Sequence, residues 1–269
     1  MSNVKQLLKH RITSIDKIVK ITQAMEVVSL FRLKRIEKQA AKRKDYFAAL
    51  HQVAGDLWRS VNYAPHKFFT LRTTQNPLLL CIGSDKGLCG GFNLFVLQST
   101  LELIKIMQGR VLAYGRRLAA LKRHLSQDSV EVKGHDQYDA EKLAQVVFEG
   151  LKENTFDGFF IIFNQFKSNI IAKPRVLKVF PLEETTGDTR DFLWEGENLW
   201  NDFFFAYIKG AIEASFLESA ASEEFMRVFT MKQAKDNALE LKENINLKFH
   251  KVRQSMITRE LTDLCSMLM

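Results

Sequence analysis

Between Leu78 and Met107 the chain places a glycine-rich loop, Gly83-Ser-Asp-Lys-Gly-Leu-Cys-Gly-Gly91, after a short continuous apolar run and before a helical pattern that starts at Asn93. A strand–loop–helix junction is where backbone N–H groups and a helix N-terminus can hold a phosphate. The loop is neither GxGxxG nor GxxxxGK[ST], because no lysine followed by serine or threonine closes it. Two readings stand: a phosphate cradle, or a tight turn whose glycines supply positive φ and close packing. Cys89 inside the loop is a nucleophile only if something activates it, and no histidine lies nearby in sequence. The alternative is a small buried filler. The six histidines, His10, His51, His66, His124, His135 and His250, show no metal-binding spacing. The carboxylates cluster only on helical surfaces. These residues point to no catalytic constellation and no metal site.

The other polar groups that invite a partner lie on helices. From Phe31 to Asp45 the chain carries Arg32, Lys34, Arg35, Lys38, Lys42, Arg43 and Lys44 against Glu37 and Asp45. In the C-terminal part, Arg227, Lys232, Asn237, Lys248, Arg253, Gln254 and Thr258 fall on or near one helical face. Each set either meets a partner or faces water.

All thirteen glycines and four prolines lie between Gly55 and Gly210. Glycine costs about 1 kcal/mol and proline about 3 in a helix interior, so the flanking stretches can each run as one helix. At ~1.5 Å of rise per residue each reaches about 80–90 Å. On the N-terminal side the apolar stripe Leu8, Ile12, Ile15, Val19 is followed by a rotated one, Ile18, Ile21, Met25, Val28, continued by Leu33, Ile36, Ala40, Phe47, Leu50 and Leu57. The C-terminal seam is Met231, Ala234, Ala238, Leu241 and Ile245, carried on by Val252, Met256, Leu261 and Leu264. Such narrow seams predict that the two helices bury their stripes on each other as an antiparallel pair. Between them, Leu78–Ile82, Val111–Tyr114, Val130–Val132, Phe159–Phe163 and Val176–Phe180 read as strands, with helices at Asn93–Met107, Arg116–His124 and Asp139–Glu153. Alternating strand and helix predicts an α/β unit with a mostly parallel sheet, the last two strands pairing as a hairpin. Asp139 is the expected N-cap of its helix. Glu183–Asn201 reads as an acidic loop. The expected organisation is 1–58 as N-terminal helix, 75–198 as α/β domain and 202–269 as C-terminal helix.

The 269 residues are 46% hydrophobic and 26% charged, with a net charge of +8. That composition excludes a disordered polyelectrolyte and favours an acidic partner: nucleic acid, anionic membrane or acidic protein. Cys81, Cys89 and Cys265 form an odd, scattered set that suits reduced thiols. No apolar run reaches the ~18 residues of a membrane span. The N-terminus shows no secretory signal.

Four segments carry a resemblance. Ile21-Thr-Gln-Ala-Met25-Glu-Val-Val, Ser84-Asp-Lys-Gly-Leu-Cys-Gly-Gly-Phe-Asn93, Met231-Lys-Gln-Ala-Lys-Asp-Asn237 and Arg253-Gln-Ser-Met-Ile-Thr-Arg-Glu-Leu261 resemble the γ-subunit family of the F-type ATP synthase. They occur in the family's order and span nearly the whole chain. The resemblance implies an α/β fold in which long N- and C-terminal helices form an antiparallel coiled coil and a Rossmann-like α/β domain lies between them. It implies a central rotor shaft without a catalytic site of its own, coupling ion-driven turning of a c-ring to conformational change at the β subunits. The implied partners are the α and β subunits, the ε subunit and the c-ring, with no nucleic acid and with the membrane met only through the c-ring. No cofactor is implied.

Carried over by position, Met25, Arg32, Lys34, Arg35 and Arg227 resemble mid-shaft contacts with acidic loops of the β subunits. Arg253, Gln254 and Thr258 resemble contacts higher in the bore. Leu261, Leu264 and Leu268 resemble an apolar bearing tip, and Glu195 a foot against the c-ring. Gly87, Cys89, Gly90 and Gly91 resemble the family's structural loop. Where the family has small residues, this chain has Ser29-Leu-Phe31-Arg32, which predicts wider helix pairing there. The family motif begins within the first residues, leaving no room for a transit peptide. That favours the cytoplasmic face of a bacterial inner membrane. Two other classes compete: a nucleic-acid-binding coiled coil, with steeply salt-dependent binding, and a Rossmann-like enzyme that binds nucleotide by itself.

Overall fold

The computed structural model describes residues 2–60, 74–125, 129–167, 170–182 and 197–267. Helix α1 runs Ser2–Ser60 and helix α4 runs Glu197–Met267, each unbroken. Between them follow β1 (Pro77–Ile82), α2 (Phe92–Ile106), β2 (Arg110–Tyr114), a 3-10 helix (Arg116–Arg123), β3 (Val130–Lys133), a short 3-10 turn (His135–Gln137), α3 (Ala140–Lys152), β4 (Gly158–Lys167) and β5 (Ile170–Phe180). The basic helix read at Arg116–His124 is thus a tighter 3-10 form. Helix α4 starts at Glu197, ahead of the expected Asp202, so the last residues of the stretch read as a loop, with Leu199 and Trp200 among them, are already helical. Asp139 caps α3, its carboxylate accepting the N–H groups of Glu141 and Lys142.

By internal packing the chain divides into two units, Arg32–Met226 and the pair Met1–Phe31 with Arg227–Met269. The first unit is built on a five-stranded sheet ordered β3-β2-β1-β4-β5. Strands β3, β2, β1 and β4 are parallel, and β5 returns antiparallel on β4, the expected hairpin. β1 is buried along its length, so its side chains alternate between two cores. Leu78, Leu80 and Ile82 join Phe159, Ile161, Phe163 and the α3 residues Leu143, Val147 and Leu151. The same core takes Ala54 and Leu57 from α1 and Phe204, Tyr207, Ile208, Ile212 and Phe216 from α4. Leu79 and Cys81 face the opposite side with Val96, Val111, Leu118, Leu121, Phe160 and Ile162. A sheet covered on both faces needs continuous apolar strands, the pattern seen at Leu78–Ile82. Within this unit α1 and α4 run antiparallel, joined by Arg43–Glu213 at 2.9 Å and by His51 Nδ1 to the Tyr207 hydroxyl at 2.9 Å. Gly210 lets them close: a Cβ there would stand 3.0 Å from Leu50 Cδ1.

In the second unit, the N-terminal part of α1 and the C-terminal part of α4 also pair antiparallel. Glu26 meets Lys235 at 2.7 Å and Asp16 meets Lys242 at 2.6 Å. The seam differs from the stripes read in the sequence. Ile18, Ile21 and Val28 are exposed, Met25 of the same stripe is half-buried, and the other inward positions after Val19 include Thr22, Glu26 and Ser29. On α4, Met231 and Ile245 are buried but Leu241 faces outward, with Lys242 on the seam in its place. The outward face is apolar too, so hydrophobic periodicity does not single out the seam. The wider pairing expected at Ser29-Leu-Phe31 is not forced: buried Ser29 points inward while Phe31 is 70% exposed.

Candidate functional site

The glycine loop is held from inside. Ser84 N–H donates to Asn93 Oδ1 at 2.9 Å, Asn93 Nδ2 donates back to Ser84 Oγ at 2.8 Å, and Ser84 Oγ donates to the Lys86 carbonyl at 2.7 Å. Asp85 spans outward: Oδ1 accepts Arg116 N–H at 2.9 Å and Oδ2 accepts His135 N–H at 3.0 Å. Burial opposes the charge on Asp85, but these two N–H donors and the nearby His135 and Arg116 outweigh it, so its pKa is lowered from the ordinary value. His135 Nε2 sits 2.8 Å from the Gly83 carbonyl, completing the tie. Asp85 thereby satisfies the N–H groups that open the two 3-10 segments after β2 and β3 and ties the loop to both. Gly90 takes φ 57, as a tight turn requires, and Leu88 takes φ 64. Gly87 lies under the Arg117 guanidinium, 3.1 Å from where a Cβ would sit, and Gly91 lies as close to the Phe95 ring, at 3.0 Å. Cys89 is buried beside Phe92 and Met226, with Ser84 and Asn93 around its sulfur. Cys81 is buried against Thr100, and burial pushes its thiol pKa up to about 12. Neither is a nucleophile in this setting. Among the described residues no group of histidines, cysteines and carboxylates could hold a metal ion. This geometry is that of the tight-turn reading.

The surface of the helical unit is the unusual feature. Leu7, Ile18, Ile21, Val27, Val28, Leu30 and Phe31 on α1 are all exposed. On α4 so are Phe229, Leu239, Leu241, Leu247, Ile257, Leu261, Leu264 and Met267. Large apolar surfaces left open to water mark a docking face. Arg253, Gln254 and Thr258 are exposed among them. The Thr258 hydroxyl donates to the Gln254 carbonyl at 3.0 Å, so its own helix already engages it. Met25 is half-buried. Arg227 is 4% exposed and engaged within the chain, so it does not offer the surface contact expected of it. In the sheet-bearing unit Lys34 and Arg35 are exposed, and Arg32 lies 3.7 Å from Glu224 with its side chain half in water. Glu195 and Leu268 lie outside the described residues. No described helix is long and apolar enough to cross a membrane.

A family model described as ATP synthase matches residues 4–267. The chain belongs to the ATP synthase γ-chain family. The ATP synthase gamma chain of Rickettsia felis is 30% identical over 282 residues, covering 98% of both chains. That of Buchnera aphidicola from Baizongia pistaciae is 26% identical, covering 96% of this chain and 95% of its own. The rotor of the Euglena gracilis mitochondrial ATP synthase superposes with a TM-score of 0.71 at 15% identity, over 96% of this chain and all of that one. The Tetrahymena thermophila central stalk and c-ring structure follows at 0.60 and 20% identity, over 80% of this chain and 99% of that one. The γ-chain fold, two long terminal helices around a mixed sheet, is the fold described above.

The sequence reading missed the polar seam positions of this γ-chain fold, Asp16, Thr22, Glu26 and Ser29 on α1 with Lys235 and Lys242 on α4. A signal existed for part of it. Steps of four and three from Leu8 through Val19 continue to positions 22, 26 and 29 whatever residues stand there.

Proposed function

We propose that the chain is the central shaft of an F-type ATP synthase, turning with a membrane c-ring and passing that rotation to catalytic sites on neighbouring subunits. The observation that carries this reading is the belt of exposed apolar side chains on the paired helices of the second unit. Apolar contact is non-directional, so a shaft can turn against an apolar collar without breaking hydrogen bonds at each step. Leu261, Leu264 and Leu268 are the proposed bearing tip. Met25, Arg253, Gln254 and Thr258 meet α and β subunits higher on the shaft, and the basic run Arg32, Lys34 and Arg35 faces acidic loops of the β subunits. Arg227 acts from inside the helix pair. Glu195 belongs to the foot on the c-ring. The shaft biases each β subunit toward a different conformation by offering each a different face, which is differential binding to conformational states. The ε subunit sits beside the α/β domain. The chain has no catalytic site of its own and binds no nucleic acid, and it reaches the cytoplasmic face of a bacterial inner membrane only through the c-ring.

Purification from native membranes through a tag on this chain should bring α, β and ε with it, and a bead attached to the chain should rotate when ATP is supplied. A chain that purifies without α and β, or an assembly that hydrolyses ATP while the bead stands still, overturns the proposal.

A further inference from the structure

On α1 the inward positions of the helical unit step four and three without a break: Leu8, Ile12, Ile15, Val19, Thr22, Glu26, Ser29. The first four are apolar and the last three polar. Thr22 turns its hydroxyl back on its own helix, 3.0 Å from the carbonyls of Ile18 and Val19. Buried Ser29 is small, and α4 contributes the half-buried Ala234 and Ala238. The large apolar side chains turned inward here include the flexible Met25 and Met231, and apolar contact of that kind tolerates more than one stagger. Glu26 supplies the direction that is missing. Its Oε2 lies 2.7 Å from Lys235 Nζ, with both side chains mostly withdrawn from water. Asp16 and Lys242, 2.6 Å apart, repeat the device nearer the N-terminus of α1. A slide of α4 by one heptad keeps one ion pair and loses the other. In one direction Lys242 comes opposite Glu26 while Lys235 faces Leu33. In the other Lys235 comes opposite Asp16 while Lys242 faces Lys9, so the native stagger alone satisfies both acids and both lysines.

We propose that Glu26 and Lys235, seconded by Asp16 and Lys242, are a register lock. They are positioning residues that hold α1 and α4 at one stagger and one facing, a role for which buried polar pairs are well suited. The lock concerns the helix pair whatever the chain's partners. Its consequence for torque, that load on one helix passes to the other without slip, rests on the central-shaft reading above.

The test uses the full chain with Cys265→Ser, since Cys81 and Cys89 are buried. Spin labels go on Lys9→Cys and Lys248→Cys, both exposed in this unit. The unaltered pair should give one narrow distance. Glu26→Gln should broaden or split it, and the exchange Glu26→Lys with Lys235→Glu should restore it. The apolar double variant Glu26→Leu with Lys235→Leu separates register from stability. It should melt no lower than the unaltered chain yet lose the single distance. A single narrow distance in both Glu26→Gln and the apolar double, or failure of the exchanged pair alone, overturns the lock. In the assembled complex the same variants should slip under load while turning freely without it. If the unaltered chain neither assembles nor turns, the shaft reading fails, while the distance measurement still decides the lock.

Discussion

Asp85 ties the glycine loop to the segments that follow β2 and β3, and its titration is accordingly a stability matter. Its folded pKa lies below the ordinary carboxylate value, so its contribution is complete above about 3.9 and is lost as pH falls through the lower folded value. Asp85→Asn should lower the urea midpoint at neutral pH and flatten its fall in acid; equal midpoints at pH 7 would remove the carboxylate's role. Gly115 holds φ 115, and a Cβ there would stand 2.6 Å from the Gly83 carbonyl carbon. Gly115→Ala should therefore destabilise the chain by more than the ~1–2 kcal/mol of a left-handed residue alone, measured by denaturant unfolding. On the shaft, Gln254→Ala should lower ATP turnover of the assembled complex more than Thr258→Ala, because Thr258 already spends its hydroxyl on its own helix. Both variants should melt like the unaltered chain. The inward turn of Arg227 was not legible from its neighbours, since a long cationic side chain reads as surface unless the packing around it is known.

Among the elements, α1 does two jobs along one continuous helix. Near its C-terminal end Leu57 is fully buried in the sheet's core, and Leu57→Ala should cost about 2–5 kcal/mol by equilibrium unfolding. Its middle carries the exposed basic run. Neutralising Arg32, Lys34, Arg35 and Lys38 together should weaken ATP-driven rotation under load by degrees, since each exposed contact contributes only ~0.2–1 kcal/mol. Unchanged torque in a single-molecule assay would exclude that role. The existence of both long helices and of the five strands was legible because absent glycine and continuous apolar runs are strong local signals. Which face of each helix is inward was not. Ile18, Ile21, Val28 and Leu241 are apolar yet exposed, and Glu26, Lys235 and Lys242 are charged yet inward. An outward face that is itself apolar defeats the rule that apolar means core.

As a whole molecule the chain carries +8, and that charge by itself suits nucleic acid as well as an acidic protein assembly. Binding to bulk DNA should be weak and steeply salt-dependent, while association with α and β subunits should survive salt through the apolar belt; a filter-binding titration beside a salt-washed pull-down compares the two. The amino-acid order alone determined the two long terminal helices, the strand–helix alternation, the glycines of the loop and the four family segments, because each is a property of neighbouring residues. Only the tertiary structure decided that Asp85 reaches the N–H groups of Arg116 and His135, that Arg227 faces inward and that charged pairs occupy the helix seam. Those depend on which groups from distant parts of the chain arrive within hydrogen-bond reach, and periodicity along one helix carries no information about its partner's side chains.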